Sequence, residues 1–212
     1  MTKYRMLDLF CGLGGASQAM VDHEDWEVVR IDNNPDLLQH VSFVCKDIRD
    51  VLEEVRQLKP NQIHDIDLIW ASPPCTDFSN GYAGPKYTHM RENPDEVYLP
   101  DLTLVRMTIE IIEILKPRYW IIENVKGAVK FFEPLLGPPK VIIGPYYLWG
   151  NFPLFNAKLP AGYSKYNDED KYGRKLRPNA RAVVPIEISE ALRQTIQYQS
   201  TLDNYRMNIN SD

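Results

Sequence analysis

Five short apolar runs set the folding problem for this chain: Tyr4 to Phe10, Glu27 to Asp32, Ser42 to Cys45, Ile66 to Ala71 and Tyr119 to Ile122. Helical spacing fills the intervals at Ala16 to His23, Pro35 to His40, Asp50 to Leu58 and Leu102 to Leu115. Buried strands alternating with helices predict an α/β fold, a doubly wound and mostly parallel sheet with helices on both faces. Val141 to Ile143 and Tyr146 to Trp149 add two strands, joined as a hairpin around Gly144-Pro145, and Ile188 to Tyr198 reads as the last helix. Thr76 to Pro100, Pro134 to Pro139 and Pro160 to Pro178 are proline-rich or polar and read as irregular. One domain over residues 1–200 accounts for the pattern, with 201–212 expected as a frayed tail.

The 212 residues, 44% hydrophobic and 25% charged, suffice for one buried core. No apolar run approaches the roughly 20 residues of a membrane span, so a soluble, cytoplasmic protein with no membrane partner is expected. Cys11, Cys45 and Cys75 form no CxxC pair; neither a disulfide framework nor a metal site is expected. A net charge of -5 offers nucleic acid no general attraction. A local cationic face is available at Lys165, Lys171, Arg174, Lys175, Arg177 and Arg181, which equally reads as a solvated basic loop.

The turn after the first strand, Phe10-Cys11-Gly12-Leu13-Gly14-Gly15, lets backbone approach a ligand at a strand-to-helix junction. The third glycine of a dinucleotide fingerprint is missing three places after Gly14. Asp32 and Asp47 follow the second and third strands and put carboxylates on the same sheet edge. The first suits ribose hydroxyls and the second an exocyclic amine, although either also reads as a helix cap.

Cys75 follows Ser72-Pro73-Pro74 at the end of the fourth strand, held by stiff backbone at the carboxyl edge. A thiolate there is a nucleophile, whereas a cysteine without such a context is ordinarily inert core. Glu123 ends the fifth strand and brings an ionisable carboxyl to the same edge.

Asp8-Leu9-Phe10-Cys11-Gly12-Leu13-Gly14-Gly15, Ser72-Pro73-Pro74-Cys75-Thr76-Asp77-Phe78-Ser79 and Glu123-Asn124-Val125 resemble, in order and spacing, motifs I, IV and VI of the cytosine-C5 DNA methyltransferases. Arg181 to Pro185 is similar to the family's last motif. The resemblance implies the Rossmann-like methyltransferase fold and transfer of a methyl group from S-adenosylmethionine to C5 of cytosine in DNA, leaving S-adenosylhomocysteine. It implies Cys75 as nucleophile, Glu123 as proton donor and Asn124 as support for the Cys75 loop. Phe10, Gly12, Gly14, Gly15, Asp32, Asp47 and Pro73 are implied to hold the cofactor. Ser79, Asn80, Gly81 and Arg91 belong to a loop that can close over a flipped base, and Arg174 and Arg177 are further DNA contacts.

The chain departs from the family at several points. Thr76 stands where glutamine is common, and Ala180-Arg181 where a glycine-asparagine pair is expected. The arginine-rich motif VIII has only Arg174, Arg177 and Lys140 as candidates. The tract from Ala128 to Ala180 is too short for a recognition domain, so a second chain is a candidate partner for target choice. Competing readings are an amino-methyltransferase of cytosine N4 or adenine N6, which wants an aromatic at position 75, and a non-catalytic DNA-binding subunit.

Overall fold

Burial alternates along the strands with the period of two that a sheet covered on both faces requires. In β5 (Tyr119–Asn124) Ile121 packs into one core and Ile122 into the other; in β4 (Leu68–Ala71) Leu68 and Trp70 divide from Ile69 and Ala71 in the same way. The computed structural model describes residues 3–59, 61, 65–79, 84–167 and 169–209. The remaining strands are β1 (Tyr4–Leu9), β2 (Trp26–Asp32), β3 (Val44–Cys45), β6 (Val141–Ile143) and β7 (Tyr146–Asn151).

They form one seven-stranded sheet in the order β3-β2-β1-β4-β5-β7-β6. β3 to β5 run parallel across the sheet; β7 is antiparallel to β5, and β6 pairs with β7 as the expected hairpin. The expected doubly wound, mostly parallel α/β fold is therefore what forms. The winding reverses between β1 and β4, which opens a crevice outside their carboxyl ends, where sheets of this kind bind ligands.

On one face α1 (Gln18–Val21) packs against the last helix, and on the other α2 (Ile48–Gln57) packs against a longer helix between β4 and β5. Three segments differ from the sequence expectation. Within 76–100 lies α3 (Pro85–Glu92), entered through Gly84 with Pro85 at its first position. None of its residues is buried, so there was no apolar stripe to read. It precedes α4 (Thr103–Leu115), which buries Val105, Ile111, Ile112 and Leu115.

The second is α5 (Val129–Leu136), which runs through Pro134. Buried Phe132 holds it, 5.1 Å from both the Phe78 and Trp149 rings. The third difference follows α6 (Arg177–Ala182), where α7 (Ile186–Ile209) continues past the expected end at Tyr198 and through most of the expected frayed tail. Its extension is anchored by Arg118, whose guanidinium donates to Ser200 Oγ at 2.7 Å and pairs with Asp203 at 2.6 Å. Residues 210–212 lie outside the described residues. Nearer its start, Ser189 fastens α7 to the first helical turns by accepting from Ala19 N at 3.1 Å and donating to Ala16 O at 2.9 Å.

Candidate active site at the carboxyl edge

The strand register brings the chemistry-bearing residues together. Ala71 lies opposite Leu9 on one side and Ile122 on the other, so the next residues, Ser72 and Glu123, emerge side by side on the face that α7 covers. Ser72 N donates to Leu9 O at 3.1 Å, which extends β4 to the level of the glycine turn. Pro73 and Pro74 then end the strand and turn Cys75 outward, half-buried at the crevice.

The turn after Cys75 is a fixed object. The Cys75 carbonyl accepts from Phe78 N at 3.0 Å and Ser79 N at 2.9 Å, and the Phe78 ring is buried against Phe131 and Phe132. A Cβ at Gly127 would come within 1.9 Å of Phe78 O, so glycine is what lets the end of β5 pass this turn. Asn124, almost fully buried, donates its side-chain amide to Pro73 O at 3.0 Å and accepts from Val125 N at 2.9 Å. It therefore ties β5 to the strand end that precedes Cys75. The Tyr98 phenol is pushed up by burial and by the neighbouring Asp77 charge, and its ring lies 5.5 Å from that of His89, which brings α3 next to the turn.

Glu123 is buried, and burial pushes its carboxyl above the ordinary range, opposed by the Lys165 charge and by a hydrogen bond with Ser72. Trp70 Nε1 donates to Ser72 Oγ at 2.8 Å, which leaves the hydroxyl proton free to point at the carboxyl. A carboxyl biased toward its neutral form is suited to donate a proton.

Of the three cysteines, Cys11 is buried, its thiol is pushed up by burial and by the Asp8 and Asp32 charges, and it bonds Gly12 O. Cys45 is exposed on the edge strand β3. Of these, only Cys75 combines partial exposure with a place after the strand end that adjoins that of Glu123.

In the glycine turn, Phe10 adopts φ 56°, rare for an aromatic residue, and Gly12 φ 53°. A side chain at Gly12 would meet nothing, so its backbone faces open space, as a ligand cradle requires. Gly14 and Gly15 have a different reason: a Cβ would meet the Arg30 guanidinium at 2.6 Å in the first case and Val184 O at 2.3 Å in the second. Both glycines thus carry packing behind the turn. Buried Arg30 donates to Gly14 O at 2.8 Å and Ser17 Oγ at 2.8 Å, and Ser17 donates to Asp8. Asp8 is raised to about 7 by burial, and its other oxygen has no hydrogen-bond partner among the described residues.

Asp32 accepts from Gly12 N and Asn34 N, each at 2.9 Å, which shapes the turn and leaves further lone pairs toward the crevice. Asp47 is the N-cap of α2, accepting from Arg49 N at 2.9 Å, and Asn33 donates to it at 3.1 Å. The cap reading weighed for it is therefore its observed structural role.

The cationic tract is less free than the sequence implied. Lys175 pairs with Asp36 at 2.7 Å, Arg177 with Asp170 at 2.6 Å and Arg181 with Glu169 at 3.6 Å; Arg174 is exposed. Ser79 is half-buried in the Cys75 turn, and Arg91, exposed on α3, pairs with Glu92 at 3.2 Å. Asn80 and Gly81 lie outside the described residues. Lys140 is committed to Phe152 O and its ring. Sequence reasoning missed Lys165, Ser72 and Gly127 as members of the site. The serine alone had a local signal, in its place before the two prolines.

A family model described as C-5 cytosine-specific DNA methylase matches residues 4–133. A frog virus 3 protein named "Probable DNA (cytosine-5)-methyltransferase" is 34% identical over 128 residues, 57% of this chain and 53% of that protein. Type II methyltransferase M.XorII of Xanthomonas oryzae pv. oryzae is 30% identical over 135 residues, 60% of this chain and 29% of its own length. The match thus spans about half of the viral relative and under a third of the bacterial one. The solved methyltransferase EhMeth of Entamoeba histolytica is similar at 15% identity and a TM-score of 0.41, over 76% of this chain and 56% of that one.

Proposed function

The chain belongs to the C-5 cytosine-specific DNA methylase family, and from that premise we propose that it methylates C5 of cytosine in DNA, as a soluble cytoplasmic enzyme whose catalytic domain spans residues 1–200 and carries the last turns of α7 to Ile209 beyond them. The observation that carries the reading is the juxtaposition of half-buried Cys75 with the buried Glu123 carboxyl on adjoining strand ends.

Cytosine C5 is too weak a nucleophile to take a methyl group unaided. The Cys75 thiolate adds its electron pair to C6, the ring electrons shift through C4 to N3, and N3 takes the proton of Glu123. C5 is then enamine-like. S-adenosylmethionine, when bound, supplies an electrophilic methyl on a sulfonium; the open face of Gly12, the remaining acceptors of Asp32, and the neighbouring Phe10 and Pro73 are the groups that fit it, whereas the Asp47 carboxylate is taken up by Arg49 and Asn33 and would have to release one of them to accept from the cofactor. A solvent water takes the C5 proton, the electron pair left behind reforms the C5–C6 double bond and expels the Cys75 thiolate, and N3 returns its proton to the Glu123 carboxylate. Asn124 acts through Pro73 as a positioning residue. Because C6 is inaccessible in a stacked duplex, the base is flipped or single-stranded. Target choice falls to Ser79, Arg91 and α3, to Arg174 and Arg177, or to a second chain.

DNA containing 5-fluorocytosine tests this: with S-adenosylmethionine it should trap a covalent protein–DNA adduct, because fluorine blocks loss of the C5 substituent. Cys75→Ser should abolish the adduct. Methylation persisting in that variant, or a product that is N4-methylcytosine or N6-methyladenine, overturns the assignment.

A further inference from the structure

The described residues of the segment, 160–167 and 169–178, lie at the carboxyl edge and touch both halves of the crevice. At its far end Lys175 pairs with Asp36, and Tyr172 meets the His40 ring at 5.1 Å, beside the end of β2 where Asp32 faces the crevice. Near its start Lys165 seats its ammonium 4.2 Å from the centroid of the Tyr146 ring. That ring is a fixed platform: its hydroxyl donates to Val183 O at 2.8 Å and is bonded to the Tyr163 hydroxyl. Tyr146 lies two residues from Leu148, the cross-strand partner of Glu123, so platform and carboxyl are diagonal neighbours on one face of the sheet. An ammonium over an aromatic face is attracted by the ring's negative face, the more so where it is partly withdrawn from water.

We propose that Lys165 is a positioning residue for Glu123: seated on Tyr146 and delivered by the 160–178 segment, its ammonium steadies the carboxylate left when Glu123 gives up its proton. This rests on the reading of Glu123 as proton donor. Among the described residues, the groups facing Glu123 are the Ser72 hydroxyl after β4, the Tyr146 phenol of β7, and Lys165 and the Tyr163 phenol of the segment, with Glu187 of α7 beyond Tyr163. Lys165 is the one cation among these, and it opposes the upward push of burial on the carboxyl. The segment thereby links the acid to the cofactor side of the crevice.

The test compares the parent with Lys165→Met, Lys165→Gln and Lys165→Arg. Carbon-13 NMR of glutamate side-chain carboxyls, with Glu123→Gln for assignment, reads the midpoint of Glu123 without requiring turnover. It should rise by about one unit in the Met and Gln variants and return in the Arg variant. The alkaline limb of the methylation rate should move up by the same amount, with kcat reduced about tenfold and KM for S-adenosylmethionine changed far less. An unmoved midpoint overturns the proposal, as does a moved midpoint with an unmoved limb. If the parent forms no C5 product or adduct, the reaction assignment fails, while the NMR midpoint still decides whether Lys165 governs the carboxyl.

Discussion

The Asn124 side-chain amide donates to the Pro73 carbonyl at 3.0 Å, a bond between residues 51 positions apart that joins the strand bearing the acid to the strand end bearing the thiol. Asn124→Ala should leave a buried carbonyl without its partner, at a cost of about 1–3 kcal/mol. Urea unfolding should show that loss. Single-turnover adduct formation should slow more than cofactor binding weakens; equal losses in both would show that the bond supports the whole crevice rather than the thiol.

Gly127 is the closest constraint on the nucleophile turn. In Gly127→Ala the new methyl comes within 1.9 Å of Phe78 O, so the turn must shift by about an ångström or more. Misplacement of that size costs on the order of 100-fold in rate. Adduct yield on 5-fluorocytosine DNA should fall accordingly while circular dichroism stays native; a full-rate variant would show that the Cys75 turn has slack.

Glu123→Gln keeps the shape of the site and removes the transferable proton. Methylation should fall by about 10²–10⁴-fold. In the parent, activity requires the protonated carboxyl, so the rate should decline as pH rises through the raised midpoint of Glu123. A rate that keeps rising across that limb would assign the proton to another group.

Asp8 supplies a stability prediction with a defined sign. Its folded value of about 7 lies above its ordinary value near 3.8 because burial disfavours the carboxylate. The folded state therefore holds a proton that the unfolded chain has released, and stability falls as pH rises from about 4 to about 7, then levels. The full effect is at most about 4 kcal/mol. Asp8→Asn should flatten this part of the urea-midpoint profile between pH 5 and 8; an unchanged slope would place the titrating group elsewhere.

Arg118→Ala should release the end of α7. The Asp203 ion pair, about one-third exposed on each side, contributes only up to about 1 kcal/mol, so global stability should change little. Amide exchange from residue 200 onward should instead speed several-fold, with the earlier turns around buried Ile188, Leu192 and Ile196 unaffected. Uniform protection across the helix would refute the anchor.

The sheet, its parallel core and the placement of Cys75 and Glu123 on one edge were legible in the sequence because they follow from local pattern. Apolar runs of strand length, glycines in a strand-to-helix turn and a Pro-Pro stop each act over a few residues. Asp32 was legible as an edge carboxylate for the same reason, but its bond to Gly12 N spans 20 positions and appeared only on folding. α3 left no pattern because it buries nothing, and α5 was hidden by Pro134, which the packing of Phe132 overrides.

Only the tertiary structure decided which side chains surround the acid. Tyr146 enters through the antiparallel register of β7, Ser72 through the parallel register of β4, and Lys165 through the path of a segment whose sequence reads as a basic loop. Its cations were equivalent as sequence; carboxylates at Asp36, Asp170 and Glu169 claimed three of them, and an aromatic ring beside Glu123 took Lys165. Local pattern specifies where a strand ends, because backbone geometry is local. Which charge faces a buried carboxyl depends on contacts between distant residues, and those exist only once the chain has closed on itself.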